Sequence, residues 1–131
     1  MTRSKINAVF KSSINDVWNT VTSLTEYGWR SDLERIEVVS DTRFVEYTKE
    51  GYATSFRVTN SVPLRRWEFD MENDNMSGHW TGCFTEKDGG TEIEFTEDVT
   101  AKKLLMKPFV KMYLIKQQKK YIEDLKRALH E

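Results

Sequence analysis

Few residues in this sequence are of a type that carries chemistry, and their spacing limits what they can do. His79 is the one histidine away from the chain's end; the other is His130. A single imidazole with no Cys or His partner at ligand spacing builds no metal site, so no metal is expected. Cys83 is the one cysteine and has no base beside it, which makes it a poor nucleophile. No glycine-rich phosphate loop, Ser-His-Asp order or lysine-based motif occurs, and no cofactor is expected. No catalytic constellation forms, and Glu97 is the single residue with a case for acid–base work. It follows Ile93 and Phe95 in an alternating segment and shares their side. A carboxyl taken out of water resists ionisation and can donate or accept a proton near neutral pH. A carboxyl at a hydrated pocket rim does neither, and that reading stays open.

Aromatic residues carry the other signal. Phe, Tyr and Trp make up 12% of the chain, a high share for 131 residues. They recur at strand spacing, with Phe56 and Val58, then Trp67 and Phe69, then Trp80 and Phe84, then Ile93 and Phe95. Phe109, Met112, Tyr113 and Tyr121 add to this inward set from the last segment. Small-molecule pockets are mostly apolar with a few polar groups to fix orientation. The candidates for those polar contacts are Thr54, Glu97, Gln117 and Gln118. Gly82, between Trp80 and Phe84, removes a side chain in mid-strand, which marks a bend or a close approach. The same stripe also describes a solid core, since buried aromatics dominate cores generally. His79 and Cys83 face away from Trp80. They share an outer surface with Glu68, Asp70, Glu72, Glu92, Glu94 and Asp98, where a histidine's pKa is expected to rise.

The elements that must hold these residues follow from periodicity. Residues 4–11 alternate and read as a strand. Ser13 is placed to cap a helix, and Ile14, Val17, Trp18 and Val21 give that helix one apolar face. Thr25 to Asp32, with Gly28 inside, reads as a turn or a second short helix. Strands follow over 33–40, 43–49, 52–62, 65–73, 76–87 and 91–100, with Asp88-Gly89-Gly90 as a tight hairpin turn. From Lys102 to His130 the spacing of Leu104, Pro108, Ile115, Ile122, Leu125 and Leu129 is helical. Pro108 must begin or kink that helix, because proline lacks the N–H the preceding turn needs. Consecutive strands make an antiparallel sheet, the first strand pairs most simply with the last, and only the final helix is long enough to cover the apolar face.

That order resembles the START-like, or helix-grip (SRPBCC), superfamily, in particular its bacterial polyketide cyclase/dehydrase-like branch. The resemblance is carried by Ile14-Asn15-Asp16-Val17-Trp18, by Trp29 ahead of Leu33–Val39, by Trp80 through Phe95 around Gly89-Gly90, and by Leu104 through Leu129 with its proline. It spans almost the whole chain and is architectural. It implies an α+β fold in which a curved seven-stranded antiparallel sheet wraps a long C-terminal helix, with one or two short helices after the first strand. It also implies a cavity between sheet and helix. Gly28, within Tyr27-Gly28-Trp29, departs from the pattern and is expected to loosen that loop.

The expected function is binding or carriage of a hydrophobic small molecule, lipid or polyketide-like, with Thr54, Phe56, Val58, Trp67, Phe69, Trp80, Phe84, Ile93, Phe95, Phe109, Met112 and Tyr113 as contacts. Two alternatives remain: a cyclase- or aromatase-like enzyme, and a protein-interaction module using the basic last helix. From Lys102 onward nine Lys/Arg face three acidic residues, +6 against −7 for the rest of a chain whose net charge is −1. A basic helix of this kind is most often a solvated face, and otherwise meets a membrane surface or an acidic partner. Length fits one domain over residues 1–131. One cysteine and the lack of a signal-like run point to a reduced, cytoplasmic setting. Nucleic acid and membrane insertion are not expected, and either a monomer or a dimer is compatible.

Overall fold

The computed structural model describes residues 1–131. The chain opens with β1 (Thr2–Phe10) and α1 (Ile14–Thr22). Six strands then run consecutively: β2 (Leu33–Val38), β3 (Arg43–Thr48), β4 (Ala53–Val62), β5 (Arg66–Glu72), β6 (Met76–Lys87) and β7 (Gly90–Ala101). A 3-10 segment, Leu104–Phe109, leads into α2 (Val110–Ala128). All seven strands form one antiparallel sheet in the order β1-β7-β6-β5-β4-β3-β2. The first strand does pair with the last, in a register that sets Ile6 opposite Phe95 and Ala8 opposite Ile93.

Period-two patterning decides which face is covered. In β5, Trp67, Phe69 and Met71 are buried while Arg66 and Glu72 are exposed. In β6, Trp80, Gly82 and Phe84 are buried together. The hairpin between β6 and β7 has Asp88 at φ 50° and Gly89 at φ 81°, the paired left-handed conformation of a tight two-residue turn. Irregular registers between Leu33 and Arg35 and between Val58 and Asn60 interrupt the ladder toward the β2 edge. Such bulges increase local twist, which helps the sheet curl around α2.

Ser13 caps α1, its hydroxyl accepting the Asp16 N–H at 3.2 Å, and Ile14, Val17, Trp18 and Val21 are buried as one face. No second helix follows. Ser23 Oγ accepts the Glu26 N–H at 2.9 Å and ends α1 in a turn instead. Pro108 neither starts nor kinks the main helix. It lies inside the 3-10 segment, and α2 begins two residues later at Val110, where its missing N–H disturbs no α-helical turn.

The buried face of α2 is Leu114, Gln118, Ile122, Asp124 and Leu125. Ile115 and Leu104, which belong to the helical spacing, are exposed. The register is set by Leu114, which falls four residues before Gln118 and eight before Ile122. Gln118 is a polar clip rather than a misplaced residue. Ser4 Oγ donates to its Oε1 at 2.7 Å, and its Nε2 donates to the Ser4 carbonyl at 3.0 Å, tying β1 to α2. A second tie comes from Asp124, which accepts the Ser31 N–H at 2.9 Å and hydroxyl at 2.7 Å and fixes the loop before β2 against the helix.

Candidate functional site

The interior divides along the length of the sheet. Beneath α1 it is solid. Phe10, Phe84 and Ile93 are almost fully buried there, and Trp18 meets Phe84 edge-on at 5.0 Å. Toward the loop before β2 the sheet and α2 separate around a cavity of about 200 Å³.

One side of this cavity is aromatic. Phe44 stacks on Phe56 at 4.9 Å, Phe69 stacks on Trp80 at 4.8 Å, Trp67 meets Phe69 edge-on at 5.2 Å, and Phe95 lies 4.8 Å from Trp80. All six line the space. Gly82 explains part of the shape. A Cβ there would sit 2.5 Å from the Trp80 ring, so the missing side chain is what lets the indole lie along the strand.

The other side is polar and is built around Arg30, from the loop before β2. Its Nη1 and Nη2 donate to the two oxygens of Glu46 at 2.8 and 3.2 Å. Its Nε and Nη2 donate to Asp32 at 3.3 and 3.0 Å. The guanidinium lies 5.4 Å from the Tyr121 ring centre. Burial works against its charge, but Glu46 and Asp32 more than offset that and raise its pKa. With two carboxylates on one guanidinium the cluster carries one excess negative charge. Glu97 stands near it, half-buried on the cavity wall and hydrogen-bonded to no protein group. Burial pushes its pKa up to about 7, with Arg30 opposing and the Glu46 carboxylate adding to the rise. The Tyr121 phenol is also pushed up by burial and stays protonated. Tyr113 shares the wall, its hydroxyl accepting from Gln117 Nε2 at 2.9 Å. The indole N–H of Trp29, another wall residue, is buried with no acceptor.

This arrangement can take an apolar ring or short chain against the aromatic wall and offer a proton-exchanging carboxyl to a polar substituent. Arg30 is spent on Glu46 and Asp32, so a carboxylate ligand would find only the exposed Lys120 as a free cation on the lining.

Of the residues expected at the site, Thr54, Phe56, Trp67, Phe69, Trp80, Phe95, Glu97, Tyr113, Gln117, Gln118 and Tyr121 line the cavity. Thr54 is engaged, its hydroxyl accepting from Asn73 Nδ2 at 3.1 Å. Val58, Phe84 and Ile93 do not line it. Val58 lies at the β4 bulge, and the other two pack into the solid end under α1. Phe109 and Met112, expected to point inward, point outward and are 65% and 72% exposed. Phe109 precedes the first turn of α2, and Met112 lies on the face opposite Leu114 and Gln118.

Phe44, Arg30 and Glu46 also line the cavity, and the sequence does not mark them. Phe44, Glu46 and Thr48 share the inner face of β3. The alternation is there, but a glutamate in the inward position disguises it.

The outer face of the sheet behaves as read. His79 Nδ1 lies 2.7 Å from Asp70 Oδ1 and Nε2 lies 2.9 Å from Glu68 Oε1. Burial opposes the imidazolium, but these two carboxylates outweigh it and raise the pKa. Glu68 is held down to about 2, chiefly by the Arg66 hydrogen bond and then by Asn60 and His79.

Residues 1–130 match the model of the family described as polyketide cyclase / dehydrase and lipid transport. No curated protein matches the chain. Among solved structures, a START superfamily protein from Mycobacterium smegmatis superposes with a TM-score of 0.86 over 98% of this chain and 97% of its own, at 11% identity. A conserved protein from Geobacillus kaustophilus gives 0.78 over 98% and 95%, also at 11% identity. DynU16, a protein of the dynemicin biosynthetic locus, gives 0.77 at 11% identity, and the match covers 98% of this chain but 47% of that one. At such identities the shared property is the fold.

Proposed function

The chain belongs to the polyketide cyclase/dehydrase and lipid-transport family, and from that premise we propose that it binds a small hydrophobic molecule in the cavity between sheet and α2. The observation that carries this reading is the cavity itself: about 200 Å³ walled by Phe44, Phe56, Trp67, Phe69, Trp80 and Phe95. A dry cavity of ~150 Å³ suffices for a benzene-sized guest, so this one is matched to one or two rings or a short acyl chain rather than a whole lipid. The polar wall adds a preference. An uncharged ligand with a hydroxyl or amine meets Glu97 and the two tyrosines, whereas a carboxylate meets excess negative charge.

The test is tryptophan fluorescence with naphthol and with naphthoate of the same ring size. The reading expects quenching by naphthol that Trp80→Ala abolishes, and weaker binding of naphthoate. Equal indifference to both, together with native mass spectra of the purified protein free of any adduct, would remove the pocket from consideration.

A second reading, acid–base catalysis on a bound polyketide-like chain, is favoured by one observation. Glu97 is a cavity carboxyl whose pKa of about 7 lets it both give and take a proton near neutrality. Glu97→Gln separates the two. Loss of turnover with binding retained supports catalysis, and unchanged conversion of every substrate that binds leaves carriage alone.

A further inference from the structure

We propose that the 3-10 segment and the first turns of α2 dock this protein on an anionic phospholipid surface. The segment Leu104–Phe109 contains no buried residue. Leu104 and Leu105 are 77% and 87% exposed, and Met106, Phe109 and Met112 are also exposed. Folded proteins seldom leave contiguous large apolar side chains in water unless something covers them.

The charge around the patch identifies the cover. Lys103, Lys107, Lys116 and Lys119 flank these residues, and no Asp or Glu occurs between Asp98 and Glu123. Apolar side chains within a lysine field are the signature of an interfacial segment that inserts its apolar side among acyl chains and its ammoniums among anionic head groups. A second copy is disfavoured, because a two-fold contact through this patch sets lysine against lysine. Side chains this exposed protrude, so they suit a fluid bilayer better than a protein partner that must supply a fitted groove. The contact is peripheral, since no helix is long and apolar enough to cross a membrane. Half-exposed Tyr113 belongs both to this surface and to the cavity wall, so the docking patch borders the cavity. Docking does not depend on what fills that cavity.

Vesicle flotation tests the proposal with the full chain. Phosphatidylcholine vesicles are compared with vesicles containing about a quarter phosphatidylglycerol. The protein is expected to float with the anionic vesicles only, and to be released by high salt. Leu105→Ser with Phe109→Ser should cut binding at least about tenfold, as should Lys103→Glu with Lys107→Glu. None of the four residues is buried, so circular dichroism and urea midpoints should be unchanged. If a variant does unfold, the unmodified protein still decides through its preference between vesicles and its response to salt. Equal or absent partition into both vesicles overturns the proposal. So does salt-sensitive binding that Leu105→Ser with Phe109→Ser leaves intact, or self-association through the patch with no capture by anionic vesicles.

Discussion

Glu97 shows how one residue's surroundings set its behaviour. Its pKa is raised from the ordinary carboxyl range to about 7, so the native state holds a proton that the unfolded chain releases. Stability therefore falls as pH rises from about 4.5 to about 7, by at most ~3 kcal/mol, and is not regained above that. Glu97→Gln should flatten this slope and be the more stable protein at pH 8, as urea unfolding across pH 5 to 8 would record. His79 acts through the opposite charge type but with the same sign. Its pKa is raised by Asp70 and Glu68, so its contribution is full below about 6.5 and fades as pH climbs through the native value. His79→Gln should therefore destabilise the protein more at pH 5.5 than at pH 9. The two effects separate in the double variant, because the residues lie on opposite faces of the sheet and should add.

At the scale of elements, close approaches and polar ties fix what periodicity leaves free. Gly82→Ala drives a Cβ into the Trp80 ring, so the indole must move. That change should cost about 1–3 kcal/mol and weaken ligand binding together, where Ser13→Ala should cost about 1 kcal/mol through the cap of α1 and leave binding alone. Urea midpoints and tryptophan quenching on the same samples distinguish the cases. Ser4→Ala leaves the buried Gln118 carbonyl without its donor and should cost about 1–3 kcal/mol. Neither Ser4 nor Gln118 stands out in the sequence. A serine in an alternating strand and a glutamine in a basic helix look solvent-facing until the fold sets them side by side.

For the whole molecule, the sheet and helix form two regions, packed beneath α1 and hollow toward the loop that carries Trp29 and Arg30. Ligand binding should then stabilise the fold by mass action, about 2.7 kcal/mol at a hundredfold excess over Kd, and the gain should disappear in a variant whose cavity is filled. Leu24→Trp, on the wall outside the aromatic stacks, is such a variant. It should keep a cooperative unfolding transition and lose the ligand-induced rise in Tm. The charge separation noted along the chain also becomes spatial. The basic stretch surrounds an exposed apolar patch, while the acidic strands pair their carboxylates with Arg3, Arg57, Arg66 and His79 on the outer face.

The sequence by itself determined the run of consecutive strands, the hairpin at Gly89, the cap at Ser13 and the inward side of β5, β6 and β7. These follow from period-two alternation and local turn chemistry, which act over a few residues. Only the tertiary structure decided the rest. Whether Phe84 and Ile93 meet other side chains or a void depends on where α1 lies across the sheet. Whether Phe109 and Met112 face inward depends on the rotation of α2, set by Leu114 and the Ser4–Gln118 tie. Whether Arg30 is free to bind a ligand depends on Glu46 and Asp32, which reach it from two directions. Each is a question of distance between residues far apart in the chain, and no periodicity along one segment carries that distance.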